Sequence, residues 1–193
     1  MSHMDQSAFI SPEFIIRAAT EAWEVAGALR LRHQVFVEEQ KIFAEHDRDA
    51  VDEIALPLVA IATVAAEPSD VVGTVRIHQS SSGIWWGSRL AVAPDYRRVG
   101  RLGAELIRLA VSTANGVGCH EFNAHVQMQN VPLFRRLHWE ALGQVDLHGV
   151  PHMRMQAALS YYPAIGNPAT GWSASCGSAT TSSWHRTRKA RAC

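Results

Sequence analysis

Little in this sequence points to an exported, membrane-bound or nucleic-acid-binding protein. Its three cysteines, Cys119, Cys176 and Cys193, are an odd set without CxxC spacing, which makes neither a disulfide framework nor a thiolate metal site. No apolar run approaches the ~20 residues that cross a bilayer, and no secretory leader pattern is visible. A cytoplasmic protein with reduced thiols is expected. Excess charge is also missing, since 18 basic residues balance 18 acidic ones. That balance hides a gradient: after Tyr162 come Arg186, Arg188, Lys189 and Arg191 with no Asp or Glu, and the rest of the chain holds 14 basic against 18 acidic residues. A body of that sign lacks the basic face that grips a phosphate backbone, so neither nucleic acid nor a membrane is expected as partner.

What is present is ordinary globular composition, 47% apolar and 19% charged over 193 residues, enough for one well-buried domain. The opening Met-Ser-His-Met, residues 1–4, reads as a cloning remnant before a start at Met4, so the domain is expected over 5–163. From 164 to 193 the chain turns Ala/Ser/Thr/Gly-rich and loses apolar periodicity, which predicts a poorly ordered basic extension.

Within the body, Glu13 to Ala18 is β-prone, and Ala22 to Val37 carries apolar residues at near-helical spacing. Lys41 to Asp52 is polar and acidic, a loop over or beside a site. Leu56 to Ala66, Val71 to His78 and Ile84 to Val92 read as three antiparallel strands separated by turn residues. Gly100 to Ala114 places Leu102, Leu106, Leu109 and Ala110 on one helical face. Glu121 to Gln127 is a further strand, Pro132 to Leu137 a short helix opened by Asn130, and Leu142 to Leu147 with His152 to Ala157 a closing hairpin across His148-Gly149-Val150-Pro151. This order predicts an α/β (α+β) fold, a mixed and mostly antiparallel central sheet with helices on both faces.

The segment Arg97-Arg98-Val99-Gly100-Arg101-Leu102-Gly103 lies between a strand and the best helix. The free N–H groups and dipole of a helix start favour an anion, and glycine lets backbone approach it closely. Three arginines there have the wrong sign for the dipole, which an anionic ligand such as a pyrophosphate would explain. A solvated first turn would read the same way on its own.

Ser88 to Leu109 resembles motif A of the GNAT superfamily of N-acetyltransferases, whose strand, Arg/Gln-x-x-Gly-x-Gly/Ala turn and helix bind acetyl-CoA. Here the glycines are spaced Gly100-x-x-Gly103, so either Leu102 takes the second small position or Arg101 takes the first glycine's place. Leu31 to Gln40 with Asp47 and Asp49 is similar to the LRxxVFVxEQ…D opening of one branch, Gln127 to Trp139 to its AQ…FYxxxGF segment, and Gly149 to Met155 to its closing GIPHxxM strand. The WWGSRLAV and LHGVPH wording is similar to the nitrogen-starvation acetyltransferases associated with nitrilase-type gene clusters. The resemblance implies acetyl-CoA as acyl donor, held by backbone at Leu90, Ala91 and Val92, by the cradle from Arg97 to Gly103, and by Asn130 and Phe134. It implies a V-shaped opening between the strands at Leu90 to Val92 and Phe122 to Gln127, and it leaves a homodimer open.

An aliphatic amine of pKa near 10.4 is neutral in about one part in 2,500 at pH 7, a deficit of about 4.6 kcal/mol, so some group must take its proton. Candidates are His152, which matches the branch's GIPH motif, then Glu39, His78 and His125. The family's tyrosine general acid aligns with Phe134, which has no proton to give; water or His138 could assist a thiolate that leaves on its own. His120, His125, His138, His148 and His152 show no ligand spacing, so no metal is expected. Trp85, Trp86 and Trp139 read as core or acceptor-pocket residues. The expected acceptor is a small-molecule amine, drawn as a cation by Glu39 and the stretch from Asp47 to Asp52. Two other readings stand beside it: an acetyl-CoA-binding sensor without transfer, and an acyl-homoserine-lactone-type synthase.

Overall fold

The computed structural model describes residues 13–98 and 101–175. These form one eight-stranded sheet in the order β6-β7-β5-β4-β3-β2-β1-β8. The strands are β1 (Glu13–Ala18), β2 (Leu56–Val64), β3 (Glu67–Ser81), β4 (Ile84–Val92), β5 (Glu121–Gln127), β6 (Trp139–Leu147), β7 (Val150–Ala157) and β8 (Trp172–Ser175). Three α-helices accompany them: α1 (Ala22–His33), α2 (Leu102–Gly116) and α3 (Val131–Arg136). Pairing is antiparallel except between β4 and β5, which run parallel because α2 crosses over between them.

The continuous apolar run of β2 follows from burial on both faces. Leu58, Ala60 and Ala62 pack with α2, whereas Val59 and Ile61 pack with Ala28 of α1. The inner face of α2 carries Leu102, Leu106, Leu109 and Ala110, all at most 2% exposed. It sits close on β3 because Gly73 has no side chain; a Cβ there would lie 2.9 Å from Leu106 Cδ1. The buried face of α1 is different, since beside Ala28 and Leu31 it holds Glu24 and Arg32. Both are paired, Glu24 with Arg17 and the N–H groups of Thr20 and Glu21, Arg32 with Asp47 and Asp52. Ion pairs replace an apolar stripe, which weakens the helical signal in the sequence.

Two observations revise the sequence reading. The predicted helix to Val37 changes at Gln34 into a π-helical turn through Glu39, closed by the Gln40 N–H on the Val35 carbonyl. The extension expected to lack structure from residue 164 is part of the fold as far as Ser175. Ile165 N–H donates to Ser112 O, Ala18 N–H to Pro168 O, and β8 pairs with β1, with Trp172 Nε1 donating to Glu105 at 3.1 Å. The domain therefore continues beyond 163. Residues 1–12, Val99, Gly100 and 176–193 lie outside the described residues, and with them the expected cloning remnant, two positions of the expected cradle and the basic tail.

Candidate active site

Strand alternation divides this sheet into two chemically different faces. Toward α2 point Val75 and Ile77 of β3, Phe122, Ala124 and Val126 of β5, and Met155 of β7, all in the main core. The intervening residues face α1. They are Arg76 and His78, Trp86 and Ser88, His125 and Gln127, His152 and Arg154, brought side by side by the pairs Arg76↔Ser88, His78↔Trp86, His125↔Arg154 and Gln127↔His152. One face is apolar and packed; the other is basic, aromatic and polar.

The β4 and β5 ladder runs from Ile84↔Glu121 to Gly87↔Ala124 and stops there among the described residues. Beyond it β4 stays with β3 to Val92 and β5 with β7 to Gln127, so the two strands part. A bulge drives the divergence: Arg89 and Leu90 both stand opposite Val75, and Arg89 takes φ 56°. The expected V-shaped opening is present between these segments. A cavity of about 400 Å³ fills it, lined from both faces and roofed by Gln40, Ile42 and Phe43 of the loop after the π-helical turn. That roof is fastened at three points. Gln127 Nε2 donates to Gln40 at 2.9 Å, Arg89 lies 4.7 Å over the Phe43 ring, and Phe43 meets His148 edge-on at 4.9 Å.

Three of the proposed bases reach this cavity. His152 lines it at 9% exposure, and its Nδ1 is 2.8 Å from the Val150 carbonyl. A carbonyl only accepts, so the neutral ring carries its proton on Nδ1 and a lone pair on Nε2. His125 lies against Trp86 in a tilted contact with ring centroids 4.8 Å apart, and burial, then His152 and Arg154, push its pKa down. His78 is lowered by burial and by Arg76, and its buried Nδ1 has no hydrogen-bond partner. Glu39 is elsewhere. It grips Arg97 through two bonds of 2.6 and 2.5 Å, which hold its carboxyl below the usual range, and it does not line the cavity.

The acidic loop does not face an acceptor as free carboxylates. Asp47 accepts from Arg32 Nε at 2.6 Å and Arg89 Nε at 3.0 Å; Asp49 takes both terminal nitrogens of Arg76 at 2.7 Å; Asp52 is held by Arg32 and Arg76. Hydrogen bonds from Arg76 hold Asp49 low. For Asp52, burial pushes upward, and the bonds from Arg32 and Arg76 overcome it. Three carboxylates and three guanidiniums cancel. Arg76 and Arg89 line the cavity and the aspartates do not. Sequence reasoning missed both arginines, although Arg76 lies two residues before His78, on the same strand face.

On the donor side, Leu90, Asn130 and Phe134 line the cavity, Ala91 is buried against the α1 cluster, and Val92 accepts from Arg97 Nε at 3.1 Å. Arg98 is exposed. Arg101 caps α2 in the left-handed region, φ 56° and ψ 28°, with no side-chain cap, while Leu102 is 1% exposed in the core. Of the two glycine alternatives, Arg101 thus has the backbone conformation glycine favours. A Cβ on Gly103 would meet only Val92 Cγ2 at 4.0 Å. Packing within the protein does not require glycine there, and a closely approaching ligand does, so the helix start fits a pyrophosphate. Phe134 is buried edge-on against Trp139. Tyr162, whose hydroxyl donates to Leu137 O and accepts from Trp139, is pushed up to about 12 by burial and lies outside the lining. Among the described residues, no cluster of three His, Cys, Asp or Glu could hold a metal ion, and no helix is long and apolar enough to cross a membrane.

A parted parallel strand pair thus lies beside a helix start whose cap residue makes no side-chain hydrogen bond. Residues 18–140 match the acetyltransferase (GNAT) family, and the chain belongs to it. No curated protein matches the sequence. Among solved structures, a candidate N-acetyltransferase from Lactobacillus plantarum superposes with a TM-score of 0.65 at 23% identity, over 75% of this chain and 97% of the other. An acyl-CoA N-acyltransferase from Pseudomonas aeruginosa gives 0.60 at 19%, over 75% and 99%. The CoA-dependent acyl-homoserine lactone synthase BjaI gives 0.60 at 21%, over 74% and 82%. At these identities the likeness is one of fold.

Proposed function

We propose that this chain is an N-acetyltransferase that moves the acetyl group of acetyl-CoA to a primary amine of a small molecule by direct attack, as the resemblance to nitrogen-starvation acetyltransferases also suggests. The observation that carries the reading is the β4 and β5 opening with His152 at its wall. Past Gly87 the edge of β4 at Leu90 has left the β5 ladder and offers a strand edge to the pantetheine, the Val92 carbonyl being taken by Arg97, and the start of α2 offers N–H groups to the pyrophosphate. His152 Nε2 takes the amine proton as nitrogen bonds to the acetyl carbon and the carbon–sulfur bond breaks. The sulfur leaves as thiolate, since Phe134 has no proton and the Tyr162 hydroxyl is engaged elsewhere. A thiol titrates near 8.5, so this departure needs no protein acid.

The test is thiol release from acetyl-CoA with a panel of primary amines, together with calorimetric binding of acetyl-CoA and mass detection of the acetylated product. Binding with amine-dependent release supports transfer. Binding with no release across the panel would favour a sensor instead, consistent with phenylalanine at position 134. No binding would overturn both.

A further inference from the structure

The cavity has a property that neither the family nor the loop sequence foretells. Among the described residues, every titratable side chain on its wall is an arginine or a histidine: Arg76, His78, Arg89, His125, His148 and His152. No Asp or Glu joins them. The nearby carboxylates are already bound, Asp47, Asp49 and Asp52 by Arg32, Arg76 and Arg89, and Glu39 by Arg97. Beside them Phe36, Phe43 and Trp86 supply aromatic surface, and the polar side chains Gln40, Ser80, Ser88 and Gln127 are neutral. A polycation entering here would lose its hydration shell to a wall of like or neutral charge, with no carboxylate to replace it.

Arg89 provides the contrary interaction. Its Nε and Nη2 are bound to Asp47 and Asp49, its guanidinium carbon lies 4.7 Å over the Phe43 ring, and its Nη1 makes no hydrogen bond among the described residues. The guanidinium of this lining residue is thus held by its partners with one terminal nitrogen left as a donor, able to give a single charge-assisted hydrogen bond to a carboxylate. We infer that the acceptor is an amine with a flat apolar body and a carboxylate, the ring lying between Phe43 and Trp86 and the carboxylate meeting Arg89. The inference rests on the transfer reading for its chemistry but not for its recognition.

The experiment uses pairs that differ only in the carboxylate, phenylalanine with phenethylamine and para-aminomethylbenzoate with benzylamine, and spermidine as the polycation. With acetyl-CoA saturating, kcat/KM is expected to be about 10-fold to 100-fold higher for the carboxylate member of at least one pair, the range of a charge-assisted hydrogen bond. Spermidine is expected to be the poorest acceptor. Arg89→Gln should bring the ratio within that pair close to one. If that variant does not fold, the comparison within the wild type still decides. Equal rates within both pairs, or preference for spermidine, would overturn the inference. Calorimetry of the same pairs on the CoA-loaded protein separates the two readings: tighter carboxylate binding without acetylation would sink transfer and keep the recognition, and equal binding would sink the recognition itself.

Discussion

Replacing Asp47 with Asn tests whether the arginine and aspartate network holds the cavity wall in place. Asp47 is 3% exposed and its Oδ2 receives Nε–H from both Arg32 and Arg89, at 2.6 and 3.0 Å. The amide keeps the shape and removes the charge. Arg32, at 4% exposure, retains Asp52, and Arg89 retains only a 3.2 Å contact to Asp49 and the backbone carbonyl of residue 47. Removing one partner of a buried pair costs about 3 to 5 kcal/mol because a buried charge is left uncompensated. The remaining partners place the expected loss near the lower end, about 3 kcal/mol. For a domain of this size that lowers Tm by roughly 6 to 12 °C. Urea unfolding of wild type, Asp47→Asn, Arg89→Met and the double variant measures both the loss and the coupling. The coupling between the two sites is expected to exceed about 1 kcal/mol. A loss below about 1 kcal/mol with no coupling would mean that the network behaves as solvated surface pairs, and the account of a pre-positioned Arg89 would fail with it.

Four further outcomes are expected. Gly103→Ala should leave the fold intact and raise its stability by up to about 1 kcal/mol, since a Cβ there meets only Val92, while weakening acetyl-CoA in calorimetry; unchanged affinity would remove the pyrophosphate from this turn. His152→Ala should lower kcat about 100-fold or more at pH 7, with the deficit shrinking as pH rises and the free amine deprotonates in solution; wild-type turnover across pH 6 to 9 would exclude it as the base. Glu39→Gln frees Arg97 from its exposed bidentate partner and should lower KM for acetyl-CoA a few-fold with little change in stability, whereas a 100-fold loss of kcat would make Glu39 the base instead. Asp49 and Asp52 are both held low by their arginines, so their stabilisation is present above the ordinary carboxylate pKa of ~4 and is lost as pH falls below it; acid titration by circular dichroism should show stability level at pH 5 and declining below about pH 4, and a decline that begins above pH 6 would contradict the assignment.

Elements whose order is written in local pattern were legible in the sequence. The strands at Glu13–Ala18, Ile84–Val92 and Glu121–Gln127 fall where alternation and turn residues put them, as does the short helix opened by Asn130. The opening between β4 and β5 followed from family resemblance, not from periodicity. Features that depend on distant partners were not legible. The strand Trp-Ser-Ala-Ser at 172–175 has little β-propensity of its own and is ordered by pairing with β1. Arg32, Arg76 and Arg89 meet their aspartates across 15, 27 and 40 or more positions, and no spacing rule links them. The left-handed Arg101 left a trace only as irregular glycine spacing.

The acidic loop shows why the charge of a segment is a poor guide to the charge of a site. In sequence, Asp47, Asp49 and Asp52 suggest an attractor for cations. In the fold they stand behind the wall, where each is close enough to a guanidinium to be neutralised by it, and the cavity meets the arginines instead. The aspartates make it possible for arginines to be buried there at all, because an unpaired guanidinium at 4 to 5% exposure would be too costly to keep. Their number therefore sets how much positive charge the wall can carry, and their position decides that it points inward. A loop that is negative by composition is thus neutralised in the fold and presents its arginine partners, not its carboxylates, to the cavity.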